Sequence, residues 1–171
     1  MAPGSYASLF DRDPIDVRVD YRACTLLLLC TDHTETFTFE ARAQVAPECL
    51  VTAGNLDFGT VGVLNGNIDS SSQIDVTCTR DTAYDLELNY GLYGTAPGGR
   101  RMQDGAANEV QYELYQDAAR SNVWGEAADG ADQVGAGGGG TQNYTVFGRV
   151  PPQTTPPPGA YSDTVVVTVT Y

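Results

Sequence analysis

From residue 37 onward, apolar and polar side chains trade places at every second position in one segment after another. Phe37, Phe39, Ala41, Ala43 and Val45 alternate with Thr38, Glu40, Arg42 and Gln44. Ile74, Val76 and Cys78 alternate with Asp75 and Thr77, and Tyr84, Leu86 and Leu88 with Asp85, Glu87 and Asn89. Tyr112, Leu114 and the neighbouring Tyr115 mark a further strand, and Tyr144, Val146 and Phe147 another. The last segment sets Val165, Val167, Val169 and Tyr171 against Val166, Thr168 and Thr170. A period of two sends alternate side chains to opposite faces of a strand, and helical spacing is almost absent. Gly54-Asn55, Asn65-Gly66-Asn67, Pro97-Gly98-Gly99 and Pro156-Pro157-Pro158-Gly159 punctuate the strands. The pattern predicts an all-β chain folded as a sandwich of two antiparallel sheets. The Gly137 to Gly140 run reads as a solvated hairpin connection, since a phosphate-binding loop calls for a following helix.

A repeat sets the N-terminus apart. Pro3-Gly4-Ser5-Tyr6 followed by Asp13-x-Ile15-x-Val17-x-Val19-x-Tyr21 echoes Pro158-Gly159-Ala160-Tyr161 followed by Asp163-x-Val165-x-Val167-x-Val169-x-Tyr171. Residues 3 to 21 read either as the final strand of a preceding domain of the same kind, which is the favoured reading, or as an edge strand that resembles the last one by chance. The expected organisation is an N-terminal segment, residues 1–34, comprising that strand and a linker, and a β-sandwich domain over residues 35–171.

Composition narrows the chemistry. The 171 residues are 42% apolar, enough for a core, and carry 22 acidic against 9 basic residues, a net charge of -13. That charge repels phosphate backbones and favours solubility, which argues against nucleic acid as a partner. The apolar run Leu26 to Leu29 is far short of a membrane span or a signal-peptide core, so neither membrane insertion nor a leader peptide is expected in this chain. The cysteines, Cys24, Cys30, Cys49 and Cys78, form no Cys-x-x-Cys pair, and their even number suits disulfides in an oxidising compartment. Asp11/Asp13 and Asp129/Asp132 have the look of glycosidase carboxylate pairs, but so acidic a chain makes such pairs by composition. His33, the one imidazole, sits in the polar run Thr31-Asp32-His33-Thr34 and reads as a solvated loop residue rather than a catalytic base. Calcium would call for an Asp-x-Asp-x-Asp-Gly series, which is missing. The expectation is a protein without enzymatic activity, cofactor or metal. Trp124 and the tyrosines are expected to pack rather than to form a sugar-binding surface, and Arg120 is expected to pair with Asp117.

Several motifs together carry a family likeness. Cys49 is followed by Leu56-Asp57-Phe58-Gly59 and by Ile74-Asp75-Val76-Thr77-Cys78. Then come Tyr112-Glu113-Leu114-Tyr115-Gln116-Asp117-Ala118-Ala119-Arg120-Ser121-Asn122 and Trp124-Gly125. Val146-Phe147-Gly148-Arg149-Val150-Pro151 and Gly159-Ala160-Tyr161-Ser162-Asp163-Thr164 close the series. In order and spacing, residues from about Phe37 to Tyr171 resemble a spore coat protein U domain, used by the pilins of archaic, Csu-like chaperone–usher pili.

The resemblance implies an immunoglobulin-like sandwich that lacks its seventh strand and is completed by a strand from a neighbouring subunit. It implies a structural pilus subunit that supports adhesion or biofilm formation. The implied partners are neighbouring subunits, a periplasmic chaperone and an outer-membrane usher, along a route through the periplasm to the cell surface. Phe37, Phe39, Ala41, Ala43 and Val45 suit the donor strand, although the same segment also suits the first strand of its own sandwich. Val165, Val167 and Val169 are expected in the acceptor groove. The family's disulfide falls on Cys49 and Cys78, closing a loop worth roughly 3 to 4 kcal/mol. Cys24 and Cys30 have no counterpart there; a mutual bridge across a short turn is favoured over two thiols. Alternative readings are the C-terminal pilin domain of a two-domain tip adhesin, or a non-polymerising extracellular coat or carbohydrate-binding module.

Overall fold

A computed structural model describes residues 4–9, 17–24 and 30–171, with side chains at 20, 22 and 31–171. Asp11, Asp13, Ile15 and the run Leu26 to Leu29 lie outside the described residues, as do the side chains of Cys24 and Cys30. The chain divides into two compact units, Pro3–Ala46 and Pro47–Tyr171.

The described residues of the first unit form two antiparallel pairs. β1 (Gly4–Leu9) pairs with β4 (Glu40–Val45), and β2 (Val17–Cys24) pairs with β3 (Cys30–Phe37). The β2–β3 register ends with Cys24 opposite Cys30. Arg22 and Asp32 form an exposed ion pair at 2.9 Å on this ladder, and the Thr34 hydroxyl donates to Asp20 at 2.6 Å. His33 lies on β3, opposite Tyr21, and not in the expected loop. The alternation from Phe37 to Val45 is cut in two: Phe37 closes β3, Thr38 and Phe39 leave the ladder, and Glu40 opens β4. The two halves follow different partners, which is what the sequence pattern cannot show.

The second unit is the sandwich. Its strands are β5 (Cys49–Ala53), β6 (Ile68–Cys78), β7 (Ala83–Leu88), β8 (Arg101–Gln103), β9 (Glu109–Gln111), β10 (Glu113–Tyr115), β11 (Gln133–Ala136), β12 (Thr141–Val150) and β13 (Val167–Thr170). One sheet has the order β10-β12-β6-β5, the other β11-β7-β13, and β8 and β9 form a small ladder of their own. All of these pairings are antiparallel. The inward row of each central strand forms the core: Ile74, Val76 and Cys78 from β6, Tyr84, Leu86 and Leu88 from β7, Val146 and Val150 from β12. Trp124 fills the space between the sheets, donating its indole N–H to the Leu86 carbonyl at 3.0 Å and meeting Tyr144 edge-on. This is the immunoglobulin-like sandwich expected from the sequence, with a four-stranded and a three-stranded sheet.

Two local expectations are corrected. The Gly137–Gly140 run does not turn back within one sheet; it carries the chain from β11 in one sheet to β12 in the other. Gly137 is buried against the turn after β6, where its N–H reaches the Thr82 carbonyl at 2.8 Å and a Cβ would lie 2.1 Å from the Thr79 carbonyl oxygen. Arg120 does not pair with the Asp117 carboxylate. Its left-handed backbone, φ 57°, turns the guanidinium to β12, where it reaches the Gly148 carbonyl at 3.2 Å, Asp69 at 3.3 Å and the Phe147 ring. The Asp117 carboxylate instead accepts from the main-chain N–H groups of Ser121 and Asn122, at 3.0 and 2.7 Å, which lowers its pKa.

Candidate functional site: an open groove between the sheets

The groove arises where two strands have one neighbour each. β5 pairs with β6 and β13 with β7, and among the described residues neither is hydrogen-bonded along its other edge. Directly opposed residues of antiparallel strands share a face, so Val51 of β5 points inward beside Val76, its partner in the register. Yet Val76 is 0% exposed and Val51 37%. The same asymmetry marks the other edge. Leu86 and Leu88 are fully buried, while their partners Val169 and Val167 remain half-buried on the same inner face. Inner-face apolar side chains on both edges are therefore left partly in water.

An open groove of about 900 Å³ runs into the core beside them. Ile74, Leu88, Leu114 and Val146 form its floor, and Val165 and Val167 one side. Val169 packs against the core beyond the groove lining, so of the expected acceptor residues Val165 and Val167 line it directly. Leu56 and Phe58 cover one part of the floor, where they settle over Gly148; a Cβ on that glycine would lie 2.9 Å from each side chain. Leu56 and Phe58 stand in the sequence as family motif residues with no sign of a place in the groove, because nothing local signals that their loop folds over β12.

The segment between β12 and β13 forms a strap along the groove, with Thr155 to Tyr161 in the lining. Its anchors are polar. The Leu64 N–H donates to the Thr155 hydroxyl at 2.9 Å, Gln103 and Ser162 form an isolated bridge, and the Tyr161 hydroxyl donates to the Pro157 carbonyl at 2.6 Å. Asp163 accepts from the Tyr112 hydroxyl at 2.7 Å and from the Leu92 N–H at 2.8 Å. Burial and the Asp163 carboxylate both push the Tyr112 hydroxyl pKa up.

A disulfide between Cys49 and Cys78, Cα atoms 4.1 Å apart, ties the first residue of β5 to the last residue of β6. A buried ion pair of Arg100 with Glu113 holds the 89–100 loop to β10. Among the described residues no group of three or more His, Cys, Asp or Glu side chains is placed to hold a metal. Asp129 accepts from the Tyr90 hydroxyl at 2.6 Å, and Asp132 offers its main-chain carbonyl to Gln116 at 3.0 Å. No helix among the described residues is long and apolar enough to cross a membrane.

The expected donor residues lie in the other unit. Phe37 and Phe39 are 52% and 55% exposed, Ala41 and Ala43 are exposed, and Val45 is half-buried. An apolar row thus remains largely in water in one unit, and an apolar groove flanked by open strand edges remains in water in the other.

The sequence matches the Spore Coat Protein U domain family over residues 35–168. Protein U of Myxococcus xanthus is 30% identical over 154 residues, covering 81% of this chain and 86% of that protein. The crystal structure of the CsuC–CsuE chaperone–tip adhesion subunit pre-assembly complex, from the archaic chaperone–usher Csu pili of Acinetobacter baumannii, superimposes with a TM-score of 0.63 at 20% identity. That match covers 100% of this chain and 60% of the other, so the chain spans about three fifths of the length of that solved relative.

Proposed function

The chain belongs to the Spore Coat Protein U domain family, and on that premise we propose that it is a structural subunit of a chaperone–usher type surface pilus, assembled by donor-strand complementation and serving adhesion or biofilm formation. One observation carries the reading: the exposed inner face at the two open edges, with Val51 at 37% beside Val76 at 0%. A protein exposing such a groove gains stability from whatever strand fills it. The filling strand hydrogen-bonds to β5 on one side and β13 on the other, and sends alternate side chains to the floor. Phe37, Phe39, Ala41, Ala43 and Val45 of a neighbouring copy supply that row. Val165 and Val167 receive it, with Val169 at the end. β5 and β13 come within 8 Å between Cα atoms, less than the two strand spacings of roughly 9.5 Å that an inserted strand requires. Insertion therefore parts them at that end. Before assembly a periplasmic chaperone supplies the strand, and an outer-membrane usher passes the subunit to the cell surface.

A second reading, the C-terminal pilin domain of a two-domain tip adhesin, is favoured by one feature. The likeness to the Csu tip adhesion subunit complex extends over the whole chain, including the repeat-bearing residues 1–34 that precede the family match. A carbohydrate-binding module is disfavoured by the burial of Trp124, at 1% exposure, within the core.

The test is self-complementation. Residues 35–46 are appended after Tyr171 through a flexible Gly/Ser linker, and the product is compared with the parent chain by light scattering and thermal melting. Burial of five apolar side chains is expected to raise the midpoint by at least about 10 °C and to leave a monomer. An unchanged midpoint and unchanged size would sink the donor-strand reading.

A further inference from the structure

The segment assigned as the donor is already paired within its own chain. β1 and β4 form a ladder that runs from Gly4 opposite Val45 to Leu9 opposite Glu40, so every residue of β4 has a partner in β1. A strand has two hydrogen-bonding edges, and successive N–H groups point to opposite sides. Lodged between β5 and β13, a donor uses both edges. In this chain one edge of β4 is taken by β1, so the pairing with β1 and full insertion into a groove exclude one another.

We propose that β1, Gly4–Leu9, is an autoinhibitory cap on the donor strand, displaced when β4 enters the groove of a second copy. The inference rests on the donor role given above. The composition of the cap suits a strand built to let go: Gly4 and Ala7 belong to types depleted in strands, and Tyr6 is the one residue of its six that belongs to a type enriched in them. The groove offers the opposite, with Val165 and Val167 in its lining over a floor of Ile74, Leu88, Leu114 and Val146. Exchange therefore replaces a pairing poor in β-formers by one with an apolar floor. Until then the cap covers an edge that would otherwise recruit strands indiscriminately.

The experiment compares three full-length chains: the wild type, the double variant Tyr6→Pro with Ala7→Pro, and the double variant Ser5→Thr with Ser8→Thr. Adjacent prolines are chosen because one of two consecutive N–H groups must face β4. The rate of concentration-dependent oligomer growth is followed by light scattering. In parallel, binding of a synthetic peptide spanning residues 35–46, which carries no cap, is measured on each chain. The proline variant is expected to assemble at least about fivefold faster, as loss of one ladder hydrogen bond implies, and the threonine variant more slowly, with peptide binding equal in all three. Peptide binding with indistinguishable assembly rates would overturn the cap alone. So would a proline variant that turns into a more stable monomer, since β4 would then be filling its own groove. Peptide that binds none of the chains removes the donor reading itself, and the cap with it.

Discussion

Arg100 lies at 0% exposure in the sandwich, where a guanidinium survives only if every donor is matched. It pairs with Glu113 and donates to the carbonyls of Leu88, Asn89 and Trp124 at 3.1, 2.7 and 2.8 Å, with the Tyr90 ring 5.1 Å from its centre. Glu113 is satisfied in turn by the N–H groups of Gly98 and Leu114. Arg100→Ala is expected to cost about 3 to 5 kcal/mol, because it strands a buried carboxylate, and the loss is measurable by urea denaturation. Nothing in the sequence marked this residue, since a charge in a Gly-rich stretch reads as surface. Tyr112 makes the second case. Its hydroxyl pKa is raised in the folded state, by burial first and by Asp163 next. The neutral form is thus favoured on folding, and its contribution is fully present below the unfolded tyrosine value of about 10. As pH rises beyond that value toward the folded pKa, the contribution is lost. Melting temperature is expected to fall above about pH 10, and Tyr112→Phe to flatten that fall while removing about 1 kcal/mol at neutral pH.

Strands were legible wherever one face is buried and the other wet. β6, β7 and β12 follow the alternation of Ile74, Val76, Cys78, of Tyr84, Leu86, Leu88 and of Tyr144, Val146. Pairing was not legible in the same way, because period two states that a strand has two faces and is silent on its neighbours. That is why the segment from Phe37 to Val45 read as one strand yet is shared between β3 and β4. The acceptor valines came from a family resemblance; their half-burial follows from β5 and β13 lacking second neighbours among the described residues. Gly148 belongs to this scale too, since β12 makes room there for Leu56 and Phe58. Gly148→Val is expected to push both side chains toward the groove and to weaken binding of the 35–46 peptide at least about tenfold, in line with overpacking costs of about 1 to 3 kcal/mol. Unchanged peptide affinity in a folded variant would show that these side chains do not set the depth of the groove.

At the scale of the molecule, the described chain consists of a small strand-paired unit and a sandwich that begins at Pro47, joined through Ala46, Pro47 and Glu48 between β4 and β5. The net charge of -13 keeps copies apart in solution, so attraction between them is left to apolar and backbone complementarity. The position of the disulfide then acquires a mechanical meaning. Tension drawn through β4 enters the sandwich at the start of β5, an edge strand held by one ladder, and a ladder pulled from its end opens one pair at a time. Cys49 is the first residue of that strand and is bonded to Cys78 on β6. The force is passed at its point of entry, through a covalent bond, to a strand held on both sides, so the β5–β6 ladder is not opened pair by pair from that end.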